Sequence, residues 1–310
     1  MKHYIKFFFK FILMSSLLFS SNAFSKELRV GTASQGGAFY PVGQAVSNLV
    51  NKHSGGLTMV PIVTQGAVQN PKLIKSGEVD IAITNNNLAI AATKGTGPYA
   101  KDGKIDLRAI GSLHFSVLHM MTTENSKIKS ISDLKGKRVA AGPAGGGTIP
   151  VLKLVLELHG LTMKDIKPSY LSYADGFKQL ADGNVDASFA LSGYPAGAVT
   201  QVVVTKKLKH IEMAPGKLSE AIKKYPNYGA VKIPADAYKT QKAGDVLGVA
   251  NILVASSKMS NDQAYKITKS IYDNMKEFRE NNSYAKQIDP ANSLKLGIPL
   301  HPGSEKYFKK

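Results

Sequence analysis

Leu28-Arg29-Val30-Gly31-Thr32-Ala33-Ser34-Gln35-Gly36-Gly37 is a short apolar strand that runs into a glycine-rich turn. Pro41 suits the first turn of a helix after it, where the missing N–H costs nothing. Val42, Ala45, Val46, Leu49 and Val50 then recur at helical spacing and share one apolar face. The same order returns about 110 residues later, the mark of an internal duplication. Lys137-Arg138-Val139-Ala140-Ala141 reads as the strand and Gly142-Pro143-Ala144-Gly145-Gly146-Gly147 as the turn. Thr148 is the expected N-cap, and Ile149, Leu152, Val155, Leu156 and His159 trace the helix face.

A second element recurs as well. Leu73-Ile74-Lys75-Ser76-Gly77-Glu78-Val79-Asp80-Ile81-Ala82 resembles Leu180-Ala181-Asp182-Gly183-Asn184-Val185-Asp186-Ala187-Ser188. Each reads as a helix end, a glycine cap and a buried strand. Two units of similar internal spacing imply two similar α/β domains. The strand-like segment from Leu107 to Thr123 carries the chain from one domain to the other, and the apolar run Leu247–Val254 brings it back. Residues 26–114 with 248–310 are then one lobe, and 115–247 the other. Two crossings make a hinge, and a hinge between lobes makes a cleft. After the return, Ser260-Asn261-Asp262-Gln263 is a capping box. It opens a helix with Ala264, Ile267, Ile271, Met275 and Phe278 on one face.

Residues 1–25 read as an export signal. Lys2, Lys6 and Lys10 precede an apolar run, Phe11–Phe19, and Ala23-Phe24-Ser25 offers small residues for cleavage. The run is shorter than the ~20 residues that span a bilayer. A cleaved signal places the protein in the periplasm. The chain carries 40 Lys and Arg against 22 Asp and Glu, a formal charge of +18. A basic surface suits anions, but scattered Lys, few Arg and the export signal argue against nucleic acid. With no Cys in the chain, disulfides, thiolate metal sites and cysteine catalysis are excluded.

Each glycine turn leads into a helix N-terminus, where the first N–H groups lack intrahelical acceptors and the macrodipole is positive. Such a place holds a carboxylate or phosphate without a charged side chain. Ser34, Gln35 and Thr148 add neutral polar groups. Asn85-Asn86-Asn87 and Ser192-Gly193-Tyr194-Pro195 follow the strands after Asp80 and Asp186, where open α/β sheets place ligands. Enzyme signatures are missing. No Lys-Ser or Lys-Thr follows Gly147, no G-x-S-x-G elbow occurs, and the His residues lack metal-ligand spacing. No catalytic residue, metal or cofactor is expected. Asp80 and Asp186 are read as structural partners of their glycine turns.

The segment Leu28–Gly43 resembles the opening signature of the TAXI receptors, the TRAP-associated extracytoplasmic immunogenic proteins of tripartite ATP-independent periplasmic transporters. Thr64-Gln65-Gly66-Ala67-Val68-Gln69-Asn70, Ser76-Gly77-Glu78-Val79-Asp80, Gly142–Thr148, Gly193-Tyr194-Pro195 and Ile298-Pro299-Leu300-His301-Pro302-Gly303 follow in collinear order. The resemblance implies a two-lobed periplasmic binding protein of type II-like α/β fold, each lobe a mixed sheet flanked by helices, with two hinge crossings. It implies a receptor, expected to be a monomer, that captures a small carboxylate of the glutamate, glutamine, 2-oxoglutarate or C4-dicarboxylate class. Delivery is to TRAP membrane permease subunits; a periplasmic sensor or a hydrolase on the same fold is the alternative. Carried onto this sequence, the resemblance assigns ligand contacts to Gln35, Gly37, Phe39, Tyr40, Thr64, Gln65, Asn85, Asn86, Gly146, Gly147, Thr148 and Tyr194.

Overall fold

The computed structural model describes residues 27–238 and 244–310. The export signal expected over 1–25 lies outside the described residues. The first unit runs β1 (Leu28–Gly31), α1 (Phe39–His53), β2 (Met59–Ile62), α2 (Gln69–Ser76), β3 (Ile81–Asn85) and α3 (Asn86–Lys94). The long strand β4 (Leu107–Thr123) leads to the second unit: β5 (Arg138–Ala140), α4 (Thr148–Leu158), β6 (Lys167–Ser169), α5 (Tyr173–Ala181), β7 (Ala187–Ser192) and α6 (Gly197–Val203). Then come β8 (Leu208–His210), α7 (Lys217–Lys224), β9 (Tyr228–Ile233) and β10 (Gly244–Ser256), and the chain closes with α8 (Asn261–Tyr272), α9 (Met275–Asn281) and α10 (Pro302–Phe308).

The sheet order is β2-β1-β3-β10-β4-β7-β5-β6, with β8 on β4 and β9 on β10. β1 pairs in parallel with β2 and β3, and β5 pairs in parallel with β6 and β7. Between these triplets β10 and β4 run antiparallel to each other and to their outer neighbours. The result is two lobes, each a mixed sheet flanked by helices, joined by two long crossing strands. A β-bulge marks the join: Ala250 faces Phe115 and Ile252 faces Ser112, so Leu113 and His114 stand opposite Asn251 alone. The apolar core changes there too. Leu113 and Ile252 belong to the core of the first lobe, Leu118 and Val249 to that of the second.

The duplication is visible atom by atom at the far ends of the two triplets. Asp80 accepts hydrogen bonds from Arg29 N and Nε at 2.9 and 3.3 Å, while Arg29 Nη2 donates to Gly77 O at 2.6 Å. Asp186 accepts from Arg138 N and Nε at 2.8 and 3.2 Å, and Arg138 Nη2 donates to Gly183 O at 3.0 Å. Each clamp ties the start of a central strand to the turn before its neighbour, so the carboxylates are structural. Gly77 has a φ of 78° and Gly183 of 77°, left-handed values that a side chain disfavours. At the C-terminal side Ser260 caps α8 by accepting from Gln263 N, half of the expected box, while Gln263 Oε1 accepts from Ser260 Oγ and not from its backbone N–H. The expected continuous helix breaks at Asp273–Asn274, yet Ala264, Ile267, Ile271, Met275 and Phe278 are all buried on the core.

His114 and His119 both lie buried along β4. Burial pushes His114 down to about 3, and burial together with neighbouring His210 does the same to His119. Each imidazole therefore takes a proton more readily in the unfolded chain, which titrates near 6.5. Stability is full above that pH and falls as the pH drops from 6.5 toward 3. Urea unfolding between pH 7.5 and 4 is expected to show this loss, with a flatter profile in His114→Phe. An identical profile in the variant would count against a buried, uncharged imidazole.

Candidate functional site

Gly36-Gly37-Ala38-Phe39-Tyr40-Pro41-Val42 and Gly145-Gly146-Gly147-Thr148-Ile149-Pro150-Val151 occupy the same place in the two units. Both are the entry to a helix, with Ala38 and Gly147 as the N-cap residues. Neither helix has a side-chain cap. In each, proline takes the third helical position and removes one orphan donor there. The remaining first-turn N–H groups have no intrahelical acceptor and carry the positive end of the helix dipole. Thr148, expected as the cap, is instead the first helical residue. Its Oγ1 lies 2.7 Å from Tyr173 Oη and accepts from Leu191 N–H at 3.1 Å. The hydroxyl is held inward by these partners, so the cap position falls to Gly147.

Both turns open into one cavity of about 340 Å³, measured with its mouth. The first lobe contributes Ala33, Ser34, Gly37, Ala38, Phe39, the Gln65-Gly66-Ala67 turn and Asn85. The second contributes Pro143, Gly146, Gly147, Tyr173 and Leu191. No Asp, Glu, Lys, Arg or His is among these residues. The polar side chains are neutral: Ser34, Gln65, Asn85 and Tyr173. Ser34 Oγ is buried and has no hydrogen-bond partner among the described residues. The Tyr173 hydroxyl donates to Leu191 O at 3.1 Å, and burial raises its pKa, which keeps the phenol protonated. Among the described residues no cluster of His, Asp and Glu could hold a metal ion. No described helix is long and apolar enough to cross a membrane.

Of the residues assigned from the sequence, Gly37, Phe39, Gln65, Asn85, Gly146 and Gly147 line this cavity. The others are engaged around it. Gln35 is exposed and Tyr40 is half-buried one position into α1. Thr64 Oγ1 lies 2.9 Å from Thr32 O and 2.7 Å from Asn70 Oδ1. Asn86 Oδ1 accepts from Gly297 N at 3.2 Å, and Tyr194 O accepts from Gln287 Nε2 at 2.9 Å. Tyr173 was not foreseen. Its signal lay in the repeat: it opens α5, the counterpart of α2, so it answers to the Gln65–Gln69 turn of the first unit.

The lobes meet on backbone. Gly145 O accepts from Val68 N and Gln69 N, at the start of α2, at 3.0 and 3.1 Å. Gly36 O accepts from Ala198 N of α6 at 2.9 Å, and Ala38 N donates to Ser192 Oγ at 3.0 Å. On the flanks Asn87 Nδ2 donates to Tyr228 Oη and Tyr284 Oη donates to Pro195 O, both at 2.7 Å. The lobes are therefore shut on each other. So close an approach leaves no room for side chains. A Cβ on Gly36 would stand 2.8 Å from Ala174 N, one on Gly37 3.0 Å from the Tyr173 ring, and one on Gly145 2.7 Å from Gln65 Cβ.

Gly145 is not among the positive-φ glycines, so alanine fits its backbone and meets an obstacle only across the seam. Gly145→Ala is expected to melt within about 3 °C of the parent. Its radius of gyration by X-ray scattering should rise to that of an open molecule. A variant as compact as the parent would show that the seam does not govern closure.

The NMT1-like family matches residues 30–310. A putative aliphatic sulfonates-binding protein of Escherichia coli K12 is 38% identical over 82 residues, 26% of this chain and 25% of that protein. The aligned part thus spans about a quarter of the curated relative's length. A protein of Bordetella bronchiseptica RB50 has a similar structure, with a TM-score of 0.56 at 15% identity, over 91% of this chain and 88% of that one. A putative L-cystine ABC transporter protein of Listeria monocytogenes gives 0.50 at 15% identity, over 82% and 93%. The TAXI resemblance and its TRAP partners are corrected by these matches. The motifs at 64–70, 142–148 and 193–195 are turns at the seam, where close backbone approach demands them. The chain, a two-lobed periplasmic-binding-protein fold, belongs to the NMT1-like family.

Proposed function

We propose that this protein is the periplasmic solute-binding component of an ABC-type transporter and that it captures a small organic anion, a sulfonate in the first place. One observation carries the reading: two uncapped helix N-termini converge on a cavity between the lobes whose lining residues include no charged side chain of either sign. Such a site supplies donors and a positive potential to an acid group. It supplies no carboxylate to balance an ammonium, which argues against a free amino acid. A sulfonate has three oxygens to spread over several such donors, and each charge-assisted hydrogen bond contributes about 1.5–3 kcal/mol. Closing the lobes removes water and strengthens every such contact. The local likeness to a sulfonate-binding relative supports the choice of head group over the carboxylate expected at first. The ABC-type partner, in place of a TRAP permease, is supported by the L-cystine transporter protein of like fold. The basic balance of the chain favours encounter with anions. Nothing in the cavity offers an activated nucleophile, so the hydrolase alternative gains no support.

Calorimetry of the protein with ethanesulfonate, propionate and ethylammonium tests this. Ethanesulfonate is expected to bind with a dissociation constant near ~1 μM, about −8 kcal/mol, and ethylammonium not at all. A sulfonate keeps its charge at every pH at which the fold survives, so the affinity should be flat from pH 6 to 8. Ser34→Asp, which sets a carboxylate against the anion, should weaken binding at least a hundredfold. Binding of ethylammonium alone, or of propionate without any sulfonate, would overturn the assignment.

A further inference from the structure

Asn85 ends β3 and is 2% exposed, yet it lines the cavity. Its Nδ2 donates to Asn251 Oδ1 at 2.7 Å, and Asn251 Nδ2 donates to Ser116 Oγ at 2.9 Å. Asn251 and Ser116 are each 0% exposed. This buried chain ties the cavity to both crossing strands, and Asn251 sits at the bulge where they meet. The chain consumes the donor side of the Asn85 amide. Oδ1 is left facing Gly147 at the start of α4, and no described residue donates to it.

An amide oxygen that opens on a cavity and has no protein donor is a ready acceptor for a ligand O–H or N–H. The same oxygen repels an acid group, so the acid belongs at the far side, with Ser34 and the first-turn N–H groups of α1. Asn85 then addresses the other end of the ligand. Resting on the anion reading above, we propose that the natural ligand is a hydroxyl-bearing organic acid, its O–H donated to Asn85 Oδ1. Asn251 is the positioning residue that keeps that oxygen turned to the cavity. An alkyl acid of the same length leaves Oδ1 unpaired and desolvated, and a site built for a hydroxyl discriminates strongly against the analogue that lacks one.

The experiment is paired calorimetry with 2-hydroxyethanesulfonate and ethanesulfonate. The hydroxylated probe is expected to bind at least tenfold more tightly to the parent protein. Asn85→Leu should bring the ratio to about one while ethanesulfonate still binds. Asn251→Asp, which still accepts from Asn85 Nδ2, should keep the preference; Asn251→Leu, which frees the amide to turn, should lose it. If Asn251→Leu does not fold, the Asn85→Leu ratio and the parent ratio decide by themselves. Equal binding of the two probes by the parent, or a preference for ethanesulfonate, overturns the proposal and turns the Asn85 nitrogen to the cavity. Binding of neither probe overturns the sulfonate reading, and this inference with it.

Discussion

Everything at the centre of this molecule depends on how closely two backbones approach. Gly145 O reaches the first N–H groups of α2, and Gly36 O reaches α6, each across the gap between lobes. A peptide carbonyl enters a helix N-terminus well because it meets unsatisfied donors at the positive end of the dipole. It does so only if neither chain brings a side chain into the gap. The glycines at 36, 37, 145 and 147 answer that steric demand, and the helices behind them lack side-chain caps for the same reason. A capping Ser or Asp would fill the space that the opposite lobe enters.

The cavity follows from the same constraint. Each turn spends part of its hydrogen-bonding capacity on the other lobe and leaves the rest pointing inward. Ala38 N–H is taken by Ser192, while Ser34 Oγ has no partner among the described residues. The chain from Asn85 through Asn251 to Ser116 adds a second kind of order. It links the wall of the cavity to the strands that carry the chain between lobes. A hydrogen-bonded amide in a buried strand has little freedom to turn, so this part of the wall is fixed by the fold itself.

Much of the fold could be read from the sequence because repetition made it visible. The strand, glycine turn and helix at 28–50 and 137–159 follow the same order in both places. The long apolar segments at 107–123 and 247–254 could only be crossings once two units were recognised. The site was harder to read. Gly37 and Gly147 could be found because glycine before a helix has a backbone meaning. Tyr173 could not, since its role arises when a ring from one lobe covers a turn of the other, a contact made only in three dimensions. Thr64 and Thr148 carry hydroxyls of the right chemistry, but local partners claim them, and spacing along the chain does not reveal which hydroxyls are free. The TAXI resemblance rested on short turn motifs. Those motifs track a shared steric problem and do not separate one family of this fold from another.

The paired Arg–Asp clamps have a consequence for how such a fold changes over time. Arg29 with Asp80, and Arg138 with Asp186, fix the base of each glycine turn from the remote end of its own sheet. Each rim of the cavity is thereby framed separately, as two jaws of a vice are forged apart. Substitutions that retune one jaw leave the shape of the other intact. Divergence within this lineage can then recast one face of the cavity while the opposite face is inherited unaltered.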